Sequence, residues 1–168
     1  MKHINIEIKA RSTRNDKIRS ILKSKNADFK GTDHQVDTYF KVPDGRLKLR
    51  QGNIENSLIF YRRENTSEPK ESDVSLYRAK EISDLKQVLI NALGELVTVD
   101  KQREIYFIDN VKFHLDKVKN LGEFVEIEAI GKQEKERETL LKQCNYYLQL
   151  FEINEEDLIS VSYSDMLL

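Results

Sequence analysis

The segment Ile4-Asn5-Ile6-Glu7-Ile8-Lys9-Ala10-Arg11 alternates apolar with polar or charged residues without a break. At a period of two it is a β-strand that lays Ile4, Ile6, Ile8 and Ala10 on one face and Asn5, Glu7, Lys9 and Arg11 on the other. Taken alone, such a strand is half-buried with a wet outer face. The pattern recurs, however. Arg46-Leu47-Lys48-Leu49-Arg50 throws three cations to one side and two leucines to the other, and Leu58-Ile59-Phe60-Tyr61-Arg62-Arg63 ends in two arginines, one for each face. Lys101 aligns with Arg103, His114 with Asp116, and Glu126 with Glu128. Several strands therefore give charge to a common surface, and its sign depends on the segment. Were that surface to line a closed barrel, the lumen would hold cations on some walls and carboxylates on others. Such a cavity suits a polyanion that carries its own divalent metal.

A length of 168 residues fits one domain, large enough to bury roughly two-thirds of its unfolded surface. The 28 lysines and arginines nearly cancel the 29 aspartates and glutamates, leaving a net charge of -1. That balance argues against a nucleic-acid partner, which usually demands a basic domain. Any positive field must be local. Cys144 is the only cysteine, so no intrachain disulfide forms and a reducing compartment is expected. Met1-Lys2-His3 leads into the first strand without an apolar signal core, and no apolar run reaches membrane-spanning length. The expectation is a cytoplasmic protein without a membrane partner.

The remaining pattern reads as strands punctuated by helices. Residues 14 to 28 look helical, with Ile18, Ile21 and Leu22 on one face and Asn15 or Thr13 as cap. Residues 36 to 40 form a strand, Pro43-Asp44-Gly45 a turn, and 46 to 50 its hairpin partner. Glu64 to Asp73, with Pro69 inside, reads as a loop before a strand at 74 to 80. Ser83 can cap a helix that Gly94 closes, with Leu85, Val88, Leu89 and Ala92 as its buried stripe. Strands at about 101 to 108 and 111 to 117 meet at Asp109-Asn110. An acidic strand at 123 to 130, a helix over about 132 to 151 and a short helix around 155 to 160 complete the chain. About eight strands, mostly hairpin-linked, with three or four helices predict an antiparallel α+β domain, and closure into a barrel would remove exposed edges.

These segments carry a family resemblance. Asn5-Ile6-Glu7-Ile8-Lys9 is similar to the Glu-x-Glu-x-Lys signature that opens the CYTH family of triphosphate tunnel enzymes, which includes class IV adenylyl cyclases, thiamine triphosphatases and tripolyphosphatases. Asp37-Thr38-Tyr39-Phe40, Gly45 through Arg50, Lys101 through Tyr106, and Leu115-Asp116 through Leu121-Gly122-Glu123-Phe124-Val125-Glu126-Ile127-Glu128 resemble the cyclase-like branch in order and spacing. The opening motif alone is weak; the set is specific and spans essentially the whole chain. It implies a single CYTH domain over residues 1–168, folded as an eight-stranded antiparallel closed β-barrel with flanking helices, and a tunnel that binds a triphosphate with Mg²⁺ or Mn²⁺.

The resemblance also implies roles. Glu7, Glu126 and Glu128 would ligate metal, with Asp116 a ligand or an orienting acid; Glu7, Lys9, Asp116 and Glu126 form the catalytic set. Lys9, Arg11, Lys48, Arg50, Arg62, Lys101 and Arg103 would grip phosphate oxygens, arginine as a planar fork and lysine as a point charge. The facing of Arg11, Arg78 and Lys80 stays open. The first glutamate of the signature is Asn5 here, a weaker ligand for a hard cation. His114 stands alone without a partner at ligand spacing, and Tyr39, Tyr61 and Tyr106 read as packing residues. The implied substrate is ATP or tripolyphosphate, turned over by adenylyl cyclase-like or triphosphatase chemistry; a non-catalytic triphosphate binder is the reading from another class. A homodimer is compatible with the flanking helices, although no particular residue argues for one.

Overall fold

A computed structural model describes residues 2–63 and 66–168, and the side chains of all of these except Lys2, His3, Arg63 and Ser72. The chain runs β1 (Lys2–Arg11), α1 (Asn15–Ser24), β2 (Asp28–Phe40), β3 (Arg46–Gln51), β4 (Asn56–Arg63) and β5 (Lys70–Arg78). Next come α2 (Ile82–Leu93), β6 (Glu95–Ile108), β7 (Val111–Val118), β8 (Gly122–Gly131), α3 (Arg137–Leu150) and α4 (Tyr163–Leu167). All eight strands pair antiparallel and close on themselves in the order β1-β5-β4-β3-β2-β6-β7-β8. The expected α+β closed barrel is therefore the observed fold.

Strand alternation separates two environments. The apolar face of β1, with Ile6, Ile8 and Ala10, points outward and joins Phe113, Leu115, Val125 and Ile127 of β7 and β8. Two helices cover this wall: α1 through Ile18 and Leu22, and α3 through Leu140, Cys144 and Tyr147. Each large apolar side chain buried there contributes about 1.5–3 kcal/mol, so the main hydrophobic core lies outside the barrel. Cys144 belongs to it: its thiol donates to the Ile6 carbonyl at 3.1 Å, and burial pushes its pKa up to about 12. A second cluster of Tyr39, Ile59, Tyr61, Val99, Val118, Phe124, Ile159 and Tyr163 gathers where the C-terminal segment crosses one end of the barrel. There the backbone of Ile159 donates to the Lys9 carbonyl at 2.9 Å.

Several boundaries differ from the sequence reading, each for a local reason. α1 stops at Ser24 because Asn26 takes a left-handed conformation (φ 56°), and β2 starts at Asp28, eight residues before the expected strand. Its first half carries Asp33 and Gln35, both fully buried, so a polar inner face hid the strand from hydropathy. Neither Thr13 nor Asn15 caps α1; Asn15 is its first residue and reaches the Phe124 carbonyl at 3.4 Å. β5 begins at Lys70, inside the expected loop, of which Glu64 and Asn65 lie outside the described residues. Glu81 rather than Ser83 is the cap residue of α2, and none of the helix is fully buried: Val88 is 61% exposed. Gly94 does close it, at φ 84°. The expected helix at 132 to 151 is a 3₁₀ turn at Glu134–Glu136 followed by α3, and the one at 155 to 160 shrinks to a 3₁₀ turn at Glu155–Asp157, with α4 further on.

Candidate active site

The polar faces of the strands enclose a cavity of about 720 Å³. Its walls carry Lys9, Lys48, Arg50, Lys101 and Arg103 on the basic side and Glu7, Glu126 and Glu128 on the acidic side. Register makes this inevitable. Residues opposite each other on adjacent strands point the same way, and Lys9 faces Glu126, Glu7 faces Glu128, Arg50 faces Asp37 and Arg103 faces Asp116.

The cations are organised around two carboxylates. Asp37 accepts both forks of Arg50 at 2.9 Å, the Lys101 ammonium at 3.0 Å and the Lys48 ammonium at 3.1 Å. Burial raises the pKa of Asp37, but Arg50, Lys101 and Lys48 outweigh it and hold the carboxyl well below its ordinary range. Burial dominates for Lys101, with Arg103, Arg50 and Lys48 adding repulsion; although Asp37 opposes them, its pKa falls to about 7. Asp116 receives Arg103 through two bonds of 2.7 and 2.6 Å and also the Tyr163 hydroxyl at 2.7 Å. Both oxygens of Asp116 are thus engaged by its neighbours. The Tyr163 ring in turn lies 3.8 Å from the Lys9 ammonium, so the C-terminal segment completes this wall.

Glu126 sits at the border between the two signs. Lys9 at 3.3 Å, Arg103 at 3.4 Å and His114 Nδ1 at 3.1 Å surround it, and despite burial Lys9 and Arg103 keep it ionised. An ionised Glu126 can only accept, so His114 donates its Nδ1–H to it, which leaves the lone pair on Nε2. That nitrogen is buried without a hydrogen-bond partner, and burial lowers the imidazole pKa to about 4. On the acidic side the amide of Asn5 donates to Glu128 at 2.6 Å, while its carbonyl oxygen is buried and unpartnered. Burial raises the pKa of Glu128, since Lys112 only partly compensates.

Two expected phosphate ligands lie elsewhere. Arg62 points outward, because Tyr61 is the inward residue at that level of β4, and it pairs with the exposed Asp44 at 2.7 Å. Arg11 shares the parity of Lys9 but lies beyond the cavity, exposed, with its guanidinium 5.3 Å from the Phe124 ring centroid. Of the residues whose facing was open, Arg78 lines the cavity and Lys80 is exposed outside it. Tyr39 and Tyr61 also line the cavity, their hydroxyls 3.4 Å apart, whereas Tyr106 packs outside against Phe29. Sequence reasoning missed Asp37 as the hub, Glu55, Lys112, the partnering of His114 with Glu126, and Tyr163. The signals on offer were the Asp37-Thr38-Tyr39-Phe40 segment and the alternation of Lys112 with His114 and Asp116.

Among the described residues no three His, Cys, Asp or Glu side chains are grouped to hold a metal by themselves. Mg²⁺ usually takes one or two carboxylates and completes its shell with water and substrate phosphates. Glu7 and Glu128, opposite each other with the orphaned Asn5 oxygen beside Glu128, fit that partial shell; Glu126 is already committed to cations.

A closed eight-stranded barrel with charged inner walls is the architecture of the triphosphate tunnel proteins. The model of the CYTH domain matches residues 3–163, and the chain belongs to the CYTH family. A protein of Methanocaldococcus jannaschii named "Putative adenylate cyclase" is 25% identical over 177 residues, 97% of this chain and 98% of its own length. A Pyrococcus horikoshii OT3 protein has the same fold, with a TM-score of 0.81 at 23% identity over 96% of this chain and 98% of its own. A Vibrio parahaemolyticus structure, also named a putative adenylate cyclase, scores 0.81 at 17% identity, covering 98% of this chain and 97% of its own. One from Hippeastrum, described as a putative adenylyl cyclase with a dominant triphosphatase activity, scores 0.61 at 15% identity, covering 98% of this chain and 93% of its own. Among the described residues no helix is long and apolar enough to cross a membrane.

Proposed function

We propose that residues 1–168 form one CYTH domain that acts as a metal-dependent, class IV adenylyl cyclase-like enzyme, converting ATP to cyclic AMP and pyrophosphate. The observation that carries this reading is the convergence of Lys9, Lys48, Arg50, Lys101 and Arg103 in one cavity, opposite Glu7 and Glu128. A triphosphate brings about four negative charges, and phosphoryl transfer depends mainly on positioning and charge stabilisation. The five cations grip the phosphate oxygens, and Asp37 and Asp116 aim the arginine forks. Glu7 and Glu128, with the Asn5 oxygen, would hold Mg²⁺ or Mn²⁺; Glu126 orients Lys9 and Arg103. When bound, the ion supplies charge neutralisation at the phosphate oxygens and Lewis acidity. The ribose 3′-oxygen forms a bond to the α-phosphorus, the bond from that phosphorus to the β-bridging oxygen breaks, and pyrophosphate leaves while the hydroxyl proton departs to solvent.

Triphosphatase action, with water attacking the terminal phosphorus of tripolyphosphate, ATP or thiamine triphosphate, is the second reading, favoured by the activity described for the Hippeastrum protein. Asn5 in place of a carboxylate favours a third, a binder without turnover. Incubation of the protein with ATP, tripolyphosphate and thiamine triphosphate, each with Mg²⁺ and with Mn²⁺, separates the three. Cyclic AMP with pyrophosphate supports the cyclase. Orthophosphate supports the triphosphatase, and a thermal shift without turnover the binder.

A further inference from the structure

Glu55 has no part in the site assembled above, yet its carboxylate stands inside the cavity. One oxygen accepts from Arg50 Nη1 at 3.1 Å and from Gln35 at 2.9 Å; the other accepts from Lys112 at 2.6 Å. Arg50 is on β3 and Lys112 on β7, and β2 and β6 lie between those strands in the barrel. Glu55 is therefore a crossbar over the lumen, anchored to two walls that do not touch.

The crossbar cannot swing aside cheaply. Glu55 belongs to the link between β3 and β4, whose backbone amides at Asn53, Ile54 and Glu55 all donate to the fully buried Asp33 carboxylate, at 2.6, 2.9 and 3.0 Å. Gly52 permits this approach: a Cβ there would come within 2.7 Å of both Asp33 oxygens. Three charge-assisted bonds pin the backbone, and three more hold the side chain. A phosphate entering the cavity finds Lys48, Lys101 and Arg103 still able to exchange a carboxylate for it, but next to Arg50 it meets a permanent negative charge.

We propose that Glu55 is a specificity-determining residue that ends the anion track on the Arg50 and Lys112 side, so that the tunnel admits a triphosphate and rejects a longer polyphosphate chain. The inference rests on the triphosphate reading above. A chain extended past Arg50 places its next phosphoryl group against the fixed carboxylate, and like charges in contact inside a protein repel strongly. Neutralising Glu55 removes that repulsion and frees Lys112 and one arm of Arg50 for the added group.

Calorimetric titration of the full chain, without divalent metal and at fixed salt, with tripolyphosphate and with linear tetraphosphate tests this. The wild-type protein is expected to bind tripolyphosphate more tightly, although tetraphosphate carries more charge. Glu55→Gln is expected to shift the affinity ratio toward tetraphosphate by about tenfold or more. An unchanged ratio in a folded Glu55→Gln protein overturns the inference and leaves the triphosphate reading intact. A wild-type preference for tetraphosphate overturns it without any variant. Absence of tripolyphosphate binding in the wild type, both in this metal-free titration and in a repeat with Mg²⁺, removes the triphosphate reading itself, and this inference with it.

Discussion

The two walls of the cavity handle charge in opposite ways. On the basic wall, Asp37 is shared by Arg50, Lys101 and Lys48, and Asp116 by Arg103 and Tyr163, so every oxygen is used. On the acidic wall, Glu128 receives a neutral amide from Asn5, and the other end of that amide is an unpartnered oxygen. The basic wall is satisfied before any ligand arrives. Its carboxylates aim the cations and limit their mutual repulsion, and a triphosphate has only to replace them. On the acidic wall the Asn5 oxygen remains unpartnered, and under the proposed function it would turn toward an ion delivered with the substrate.

The contrast can be broken most severely at Asp37. Asp37→Asn leaves the buried Arg50 and Lys101 and the partly buried Lys48 around a neutral group, and a loss of about 3–5 kcal/mol in unfolding free energy is expected. Tripolyphosphate should restore much of it, so the ligand-induced rise in Tm should exceed that of the wild type; equal shifts would mean that the hub is only structural. Next comes Glu126→Gln, which uncouples Lys9, Arg103 and His114 from their shared carboxylate. Turnover is expected to fall by about a hundredfold with the fold intact by circular dichroism, the magnitude typical of losing one electrostatic stabiliser. Activity near wild type would remove Glu126 from the machinery.

Completing the acidic wall is the complementary change. Asn5→Glu should raise Mn²⁺ affinity by about tenfold in a direct binding titration, as a carboxylate replaces a weaker amide ligand; no rise would place the ion away from position 5.

Lys101 sharpens the comparison through pH. Its pKa of about 7 in the empty fold lies below that of the unfolded chain, so between these values the unfolded chain binds more protons. Lys101 therefore makes stability rise with pH from about 7 upward, in the absence of ligand. A bound triphosphate favours the ammonium form, so binding at pH 8 should take up a proton. Calorimetry in buffers of different ionisation enthalpy should show that uptake in the wild type and its loss in Lys101→Arg. The smallest effect belongs to the outer surface: Arg62→Ala should change tripolyphosphate affinity by less than about twofold, as expected for a salt-screened exposed pair. A large loss would return Arg62 to the cavity.

Alternation along each strand made most of this site legible. Lys9, Lys48, Arg50, Lys101, Arg103, Glu7, Glu126 and Glu128 all line the cavity as their parity required. Parity says which face a residue takes but not where along the strand the cavity stops, which is why Arg11 falls beyond the Phe124 end. At Arg62 parity was itself informative, since Tyr61 takes the inward place. The eight missing residues of β2 have a related cause. Asp33 and Gln35 face a polar interior, and hydropathy equates polar with exposed.

By itself the sequence determined which side chains share a strand face, because a two-residue period is a property of the local backbone alone. It also separated the apolar wall under α1 and α3 from the charged one, since each strand carries both. Only the tertiary structure decided which acid answers which base. Closing the barrel and folding the last residues across its end bring Tyr163 to Asp116, and Glu55 to Lys112, over separations of 47 and 57 residues. Such pairings depend on strand order, shear and the path of the connecting segments, none of which is encoded in the period of any one strand.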